Sequence, residues 1–474
     1  MGVLRKLALN AGAMAVAGVV AQLCFTSVEA IIARRLGQHS YGVYGSVYAL
    51  SMCAAWVVEF GMAWKLVQDG SRRPQAIPGI LGTTLVLKVM LACVVAPLAF
   101  LVLQVIGYNP EVRQVFGIFF AYAVLMTLQD SLAAVYSARQ RMHVTALFQG
   151  AAPIAIVLCI ALAGQLSRSL SAVGGAYLAG SGFVTGLWLW RTWRSERPHV
   201  EMGRARQILQ GSWHYGLTGV LSQVYLRVDL LLMPLLRGLE EVGLFAAADK
   251  ITDLGLKVGV LCTRVIAPVM FAQSHADPGA HARTCKVVLR LASIAGVLGC
   301  LVVAFLAEPL VTLVFGARFR TAATILLILA ASLALRLIAI TLQVVLSSSD
   351  EHARRTGALA FAIAGAVAGN LAAVPGYGAV GAAVARVFGD VINVSVMLCA
   401  PRLPFRRSAA VGWVLRPLLL GAGAYILAHA LHAGPIVTLG VGVGLYALGV
   451  VVSQAVRLAE LRDLVGQYRA RPSA

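Results

Sequence analysis

Three cationic residues recur at intervals of seven within one apolar segment of the chain. They are Lys250, Lys257 and Arg264. On a helix, positions seven apart drift by only about 20° per step, so the three side chains share one face that extends for about 21 Å. Asp253 lies four residues before Lys257, a favourable spacing for a helical ion pair. Lipid could not solvate charges on this face, so two arrangements are open. The face is either the wet, cationic wall of a cavity suited to an anionic headgroup, or a structural ladder whose cations pair with acids on neighbouring helices.

Two further charged pairs lie in other apolar segments. Arg227 and Asp229 are two residues apart and therefore point in different directions, so Arg227 is a candidate helper for anion binding. Asp229 is expected either to neutralise Lys250 or to exchange an ion. Arg386 and Asp390 are four residues apart, and we expect them to satisfy each other.

Four single charges also interrupt apolar segments. Lys88 and Arg336 fall near the middle of their segments and must face protein or water, and Arg336 is a second candidate helper for anion binding. Glu29 and Asp130 lie near predicted helix ends, where they are expected to snorkel or cap. Three carboxylates are candidates for exchanging a proton or a sodium ion during transport, namely Asp229, Asp253 and Glu29.

The composition identifies the environment of these segments. Of the 474 residues, 59% are hydrophobic and 12% are charged, about half of the roughly 25% usual in soluble proteins. These values exclude a soluble enzyme, a disordered regulator and a secreted disulfide scaffold, and they leave an integral membrane protein. The net charge of +20 comes mostly from basic residues in short loops, which indicates orientation in a membrane and not a nucleic-acid partner.

The apolar segments predict an all-α polytopic membrane protein of about fourteen transmembrane helices. A spanning helix needs about 20 apolar residues, and the first segment is too long to be a signal peptide. The windows are approximately 9–33, 42–64, 77–106, 113–138, 144–165, 170–190, 211–236, 243–272, 287–307, 322–346, 356–375, 378–400, 411–431 and 435–455.

The basic residues predict the orientation of these helices. With the N-terminus inside, 24 Lys and Arg fall in inside regions and 7 in outside loops. Because Lys and Arg accumulate on the cytoplasmic side, both termini are expected to be cytoplasmic.

An internal repeat appears at an offset of 201 residues. Five positions match around the first hairpin, with Gly18 on Gly219, Gln22 on Gln223, Gly37 on Gly238, Gly42 on Gly243, and Tyr44 on Phe245. Six helices separate the copies, so both enter the membrane in the same direction. The repeat therefore predicts two six-helix lobes related by a pseudo-twofold axis along the membrane normal, with the substrate bound between them.

The predicted domains follow from the repeat. They are an N-terminal lobe (1–195), a cytoplasmic linker (196–210), a C-terminal lobe (211–400), two additional transmembrane helices (411–455) and a cytoplasmic tail (456–474).

No catalytic or cofactor motif is found in the sequence. It has no Walker A loop, HExxH or GxSxG, its histidines lack ligand spacing, and no CxxC pair occurs. We therefore expect neither an enzyme nor a metal or other cofactor, and transport would use an ion gradient or downhill flow.

Several stretches resemble bacterial polysaccharide exporters of the Wzx or oligosaccharide-flippase type. This family belongs to the superfamily that also holds multidrug extruders and lipid II flippases. The matching stretches are EAIIARRLGQHSYGVYGSVYAL, VDLLLMPLLRGLEEVGLFAAADKI at 228–251, VIAPVMF at 265–271, EPLVTLVFGARFRTAATILLIL at 308–329 and NLAAVPGYGAVGAAVARV at 370–387.

The resemblance implies a central cationic cavity and transfer of an undecaprenyl-diphosphate-linked oligosaccharide from the cytoplasmic to the periplasmic leaflet of a bacterial inner membrane. It implies membrane lipid, an H+ or Na+ counter-ion, a polysaccharide polymerase and chain-length proteins as further partners. The first predicted helix lacks the basic residue of lipid II flippases, which argues against a murein precursor. The alternatives are an ion-coupled multidrug exporter, which would need an acidic cavity, and a membrane enzyme of polysaccharide assembly, which would need a substantial outside loop.

Overall fold

The computed structural model describes residues 2–163, 169–349, 351–431 and 434–453, and this part of the chain is all-helical, without strands. A helix satisfies its own backbone hydrogen bonds, which an apolar environment requires. The α-helices are α1 (Gly2–Glu59), α2 (Met62–Arg72), α3 (Ile77–Val105), α4 (Pro110–Ala138), α5 (Met142–Ala163), α6 (Leu170–Glu196), α7 (Ala205–Leu236), α8 (Leu239–Ala276), α9 (Pro278–Phe305), α10 (Ala307–Phe315), α11 (Ala322–Ser348), α12 (His352–Leu398), α13 (Arg407–His429) and α14 (Pro435–Val452).

Two of these helices each contain two of the predicted spans. The helical run of α1 is interrupted at Gly37, whose φ of 81° lies in the left-handed region that favours glycine. In the same way, α12 is interrupted at Gly378, with a φ of 55°. The predicted breaks between the first and second spans and between the eleventh and twelfth are therefore confirmed.

Eleven helical stretches of the described chain are long and apolar enough to cross a membrane. Two of them, Ala17–Arg72 and Ala353–Leu398, contain the breaks at Gly37 and Gly378 and so hold two predicted spans each. The remaining predicted span coincides with α8, a helix of 38 residues. The prediction of a polytopic membrane protein is confirmed.

The chain divides into two compact units, Met1–Gly243 and Leu244–Ala474. In the first unit, α1 packs against α4 and α5, and α6 packs against both of these helices. The division falls later than the predicted linker at 196–210 because α7 also packs against α1 and α2 in the first unit.

In the second unit, α11 lies between α9 and α12. Its buried residues include Leu333, Ala334 and Leu342. The hairpin of α13 and α14 packs onto α9, where Gly421 meets Val297 and Gly442 meets Phe305. The last two helices are therefore an addition to the outer side of α9 within this unit.

The two copies of the repeated hairpin touch at equivalent positions within the first unit. A Cβ placed on Gly42 would lie 1.8 Å from the carbonyl oxygen of Leu239, and a Cβ on Gly243 would lie 2.1 Å from the carbonyl oxygen of Gln38. Leu239 follows Gln38 by the same offset of 201 residues that relates the two glycines. The contact is therefore reciprocal, as expected at a local twofold axis.

The turn between α3 and α4 is tied to α7. The Tyr108 hydroxyl donates a hydrogen bond to the carbonyl oxygen of Leu231. Burial raises the pKa of Tyr108 well above its usual range, so the phenol remains a donor at physiological pH.

Candidate functional site

Helix α8 carries the predicted cationic face, and its opposite face packs on α11. Gly255 and Gly259 approach the side chains of Leu333 and Leu337 so closely that a Cβ at either glycine would overlap them. Lys257 lies two residues from each glycine and therefore about 200° around the helix from them. This geometry explains why Lys257 is exposed.

The other members of the α8 face differ in exposure. Lys250 and Asp253 are half-buried. The side chain of Arg264 lies outside the part of the chain that the structure describes, although its backbone continues the helix. The structure thus places an exposed cation at the centre of the predicted face, and the water or anion that this face contacts stays a prediction.

The two charged residues of α7 have different surroundings. The Arg227 guanidinium lies over the ring of Tyr48, 5.1 Å from the ring centroid. Asp229 is fully buried in the first unit. Arg227 is therefore stabilised by an aromatic face.

Glu29 lies in a cluster of tyrosines and not at a helix end. It is 4% exposed within α1, and Oε1 accepts a hydrogen bond of 3.4 Å from the Tyr44 hydroxyl. The Tyr44 hydroxyl is also 3.0 Å from that of Tyr177, which packs edge-on against Tyr122. The expectation that Glu29 snorkels is wrong, because the hydroxyl groups of α1 and α6 provide it with a polar environment inside the helix bundle.

Arg336 is held in a buried ion pair instead of facing water. Its Nε lies 3.4 Å from the Asp390 carboxylate, which also accepts a hydrogen bond from the Ser332 hydroxyl. The side chains of Arg336 and Asp390 are 6% and 1% exposed. The structure therefore gives no support to Arg336 as a substrate-binding cation and assigns it to the α11–α12 contact.

Arg386 reaches across to another helix in the same way. It forms a buried ion pair with Asp249 of α8, and its guanidinium lies 4.8 Å from the ring centroid of Phe245. Arg386 thus pairs with α8 and Asp390 with α11, and the local pair predicted between Arg386 and Asp390 stays a prediction. Interhelical pairs form because these positions face adjacent helices in the bundle.

Lys88 faces protein, as its central position predicts. It is 0% exposed and donates hydrogen bonds to the Glu59 carboxylate and, at 2.6 Å, to the backbone oxygen of Thr127. Sequence reasoning missed two acids, Glu59 and Asp249. The need of each buried cation for a counter-charge was the available signal, but their partners are 29 and 137 residues away in the chain.

Among the described residues, no group of three or more His, Cys, Asp or Glu side chains could hold a metal ion.

The first helical segment continues to Leu36 and so includes the exposed Arg34 and Arg35 near its end. Arg5 and Lys6 lie at the start of the same segment, so the expected absence of basic residues holds only for residues 7–33, and the argument against a murein precursor is weaker than the sequence suggested.

The helical breaks, the reciprocal glycine contact and the charged helix interiors define a polytopic membrane protein built on a duplicated helical bundle. A family model described as "Polysaccharide biosynthesis protein" matches residues 7–274, more than half of the chain. The chain belongs to this polysaccharide biosynthesis family, which confirms the family resemblance of the sequence.

Solved structures show the same fold. The chain resembles the lipid II flippase MurJ in an inward closed conformation, with a TM-score of 0.77, 13% identity, and coverage of 95% of this chain and 99% of that chain. It also resembles an inward-facing multidrug resistance MATE family transporter of the MOP superfamily, with a TM-score of 0.62, 17% identity, and coverage of 82% and 96%.

A third structure shares the fold and differs in its binding pocket. It is a MOP superfamily transporter from Pyrococcus furiosus, described as having a pocket of reverse polarity that suggests a different function. Its TM-score is 0.58 at 15% identity, with coverage of 83% of this chain and 93% of that chain. No curated protein sequence matches the chain significantly.

Proposed function

We propose that this protein is a flippase, not an enzyme, for an undecaprenyl-diphosphate-linked oligosaccharide in a bacterial inner membrane. It moves the oligosaccharide from the cytoplasmic to the periplasmic leaflet by alternating access, for the biosynthesis of a surface polysaccharide such as O-antigen, capsule or exopolysaccharide. Membership of the polysaccharide biosynthesis family is the observation that carries this proposal. The MurJ-like fold supports a protein that moves lipid-linked cargo.

The diphosphate is the part of this cargo that the side chains of α8 can recognise. A diphosphate is strongly anionic, and Lys257 is an exposed cation within a long apolar helix. Lys250 and Arg264 lie on the same helical face by spacing, and Arg227 is a further cation with an aromatic support. These residues form the proposed diphosphate site, because cations at such depth are costly unless they face water or a charged ligand.

Ion coupling is assigned to a carboxylate that is buried but surrounded by hydroxyl groups. Glu29 fits this description because Tyr44 donates a hydrogen bond to it, and Tyr177 is in hydrogen-bonding contact with Tyr44. Asp229 and Asp253 are the second choices. A proton or sodium ion bound at Glu29 would neutralise its charge, and its release on the other side of the membrane would drive transport. Polysaccharide polymerase and chain-length proteins are the proposed partners for the delivered product.

Lys257 is the residue at which to test the function. In proteoliposomes that contain a fluorescent lipid-diphosphate oligosaccharide, Lys257→Gln should lower the initial rate of flipping at least about tenfold, because it removes the exposed cation of α8. Lys286→Gln is the matched control, since it makes the same charge change on α9 and should retain the rate. Arg264→Gln should resemble Lys257→Gln.

Equal flipping rates in Lys257→Gln, Arg264→Gln and the control would refute the proposed diphosphate site. Absence of flipping by the wild-type protein, together with export of cationic drugs, would favour the multidrug alternative. Formation of new glycosidic bonds by the purified protein would favour the membrane enzyme.

A further inference from the structure

The second half of α6 exposes one side of the helix, and the character of that side changes along its length. The exposed side chains recur every three or four residues, as expected for one side of a helix. They form what we call the α6 face, namely Phe183, Leu187, Trp190, Arg191, Trp193, Arg194 and Arg197. The α6 face is apolar near the middle of the helix, aromatic further along and cationic around its end.

The opposite side of α6 packs on α4 and α5. Trp188 stacks on Phe148 of α5, with 4.8 Å between the ring centroids. Gln129 of α4 donates hydrogen bonds of 3.0 and 2.8 Å to the hydroxyl groups of Ser181 and Thr185. These contacts fix the rotation of α6 about its own axis, and they turn the α6 face away from α4 and α5.

The end of α6 carries an excess of positive charge. Its three exposed arginines are Arg191, Arg194 and Arg197. In the described chain, no carboxylate lies within ion-pair distance of any of the three. Glu196, the sole acid in the sequence of α6, is buried and pairs with Arg139, and the next acid, Glu201, pairs with Arg204 at 2.6 Å. The nearby acids therefore leave the three arginines to an anion from outside this part of the chain.

The aromatic part of the α6 face has the composition of a membrane interface. Trp190 and Trp193 are 57% and 62% exposed, although tryptophan is usually largely buried. The Arg194 guanidinium lies over the Trp190 ring, 4.3 Å from the ring centroid. Tryptophan is enriched where the headgroups of a bilayer meet its hydrocarbon, and the N–H groups of arginine match the geometry of phosphate. The two side chains thus bring together an interfacial anchor and a phosphate-binding group.

The order of these side chains along the helix matches the order of groups in a phospholipid. Leu170–Glu196 is long and apolar enough to cross a membrane. From Phe183 to Arg194 the helix rises by about 16 Å, about half of the roughly 30 Å of a hydrocarbon core. A molecule that contacts the whole α6 face must therefore be apolar at one end and anionic at the other. An acidic soluble protein would reach the arginines but not Phe183.

We propose that the α6 face binds an anionic glycerophospholipid of the surrounding bilayer. The headgroup phosphate contacts the three arginines, the glycerol region lies beside the two tryptophans, and an acyl chain follows Leu187 and Phe183. The distribution of Lys and Arg predicts that this end of α6 is cytoplasmic, so the lipid belongs to the leaflet whose surface potential attracts basic residues.

Lipid binding to the purified full-length protein, measured by native mass spectrometry, tests this site. Dioleoylphosphatidylglycerol and dioleoylphosphatidylcholine have the same acyl chains and differ in headgroup charge. The wild-type protein should bind its first phosphatidylglycerol at least about tenfold more tightly than phosphatidylcholine. Arg191→Gln with Arg194→Gln should remove most of this difference, because each arginine near an anionic headgroup contributes a factor of about five.

Arg72→Gln with Arg73→Gln is the matched control. These two arginines are exposed at the end of α2 in the same unit, and the double substitution removes the same charge without changing α6. The control should bind phosphatidylglycerol as the wild type does. An equal loss of affinity in the two double variants would indicate a response to total charge, and it would overturn the α6 site.

Quenching of tryptophan fluorescence locates the bound lipid. Dibrominated phosphatidylglycerol should quench part of the wild-type emission, and Trp190→Phe with Trp193→Phe should remove the quenched component. If the quenched component persists in this variant, the lipid lies elsewhere and the assignment is wrong. Both substitutions keep an aromatic ring at an exposed position, so the fold is expected to be retained.

Two further outcomes would assign the α6 face to another occupant. Displacement of phosphatidylglycerol by a lower concentration of undecaprenyl phosphate would identify a docking site for cargo lipid. Dimers that form as bound phosphatidylglycerol is lost would identify a contact with a second copy of the chain. Either result would overturn the proposal. Because the measurements detect binding of a bilayer lipid and not transport, their expected outcome is independent of the proposed function.

Discussion

Each of three buried cations, Lys88, Arg336 and Arg386, pairs with a carboxylate on another helix. Lys88, Arg336 and Arg386 are evident as cations in apolar segments. Their carboxylate partners lie 29, 54 and 137 residues away and become neighbours only when the helices pack. Periodicity reports which residues share a helix face, whereas ion pairs between helices depend on which helices are adjacent and at what height.

The Arg336–Asp390 pair should be important for stability. Asp390→Asn leaves a buried guanidinium without its carboxylate and should destabilise the protein by about 3–5 kcal/mol. The effect would appear as a lower thermal unfolding midpoint of the purified protein.

The exposed Arg320–Glu308 pair is the control for this effect. Its side chains are 71% and 52% exposed, and Glu308→Gln should change stability by about 0–1 kcal/mol. Replacing both members of the buried pair, in Arg336→Met with Asp390→Leu, should recover much of the loss. Similar midpoints for Asp390→Asn and Glu308→Gln would contradict the assignment of a structural role to Arg336.

At the scale of elements, the sequence predicted the helices well because long apolar runs have few alternatives in a membrane. It also indicated the break at Gly37 and the turn around Gly378, since glycine marks positions of unusual backbone geometry. The break between α1 and α2 at Phe60, which has a positive φ of 42°, was not predicted. A bulky residue with positive φ has no signature in the sequence, because the surrounding contacts enforce that conformation.

The reciprocal contact of Gly42 and Gly243 makes a prediction for these elements. Alanine at either position would place a methyl group against a backbone carbonyl, which has no rotamer to adjust. Gly42→Ala and Gly243→Ala should each reduce stability by at least about 1–3 kcal/mol, as expected for overpacking. The folded yield after detergent extraction and the thermal unfolding midpoint would measure this loss.

Gly423→Ala provides the comparison. This glycine also lies in a helix, α13, but a Cβ there meets nothing within 4 Å. Alanine should therefore leave the midpoint unchanged or raise it, by up to about 1 kcal/mol of helix propensity. Equal behaviour of the three variants would show that the glycine contact is unimportant.

At the scale of the whole molecule, the repeat and the class of protein were predictable, whereas the packing of α7 against α1 and α2 was not. Repeated glycines preserve a signal in the sequence because a close backbone approach tolerates no other residue. The place of α7 in the first unit depends on its packing against α1 and α2. Such packing produces no periodic pattern of residues in the sequence.

Orientation in the membrane follows from the distribution of Lys and Arg and has a direct test. Green fluorescent protein fused to the C-terminus should fluoresce, because both termini are expected in the cytoplasm. Alkaline phosphatase inserted after Gly107, between α3 and α4, should be active because it is exported. The opposite pattern, with a dark C-terminal fusion and an inactive phosphatase, would invert the topology and with it the proposed direction of transport.

The glycine contact between the two copies also shows where the copies have diverged. Tyr44 and Phe245 are equivalent positions, each two residues beyond its contact glycine. The Tyr44 hydroxyl donates a hydrogen bond to the Glu29 carboxylate. Phe245 lacks a hydroxyl, and its ring lies against the Arg386 guanidinium. At this position the first copy of the repeat contacts an acid and the second copy contacts a base, and the two side chains differ by one oxygen atom. The two copies of the repeat therefore stabilise opposite charges at the same position of the hairpin.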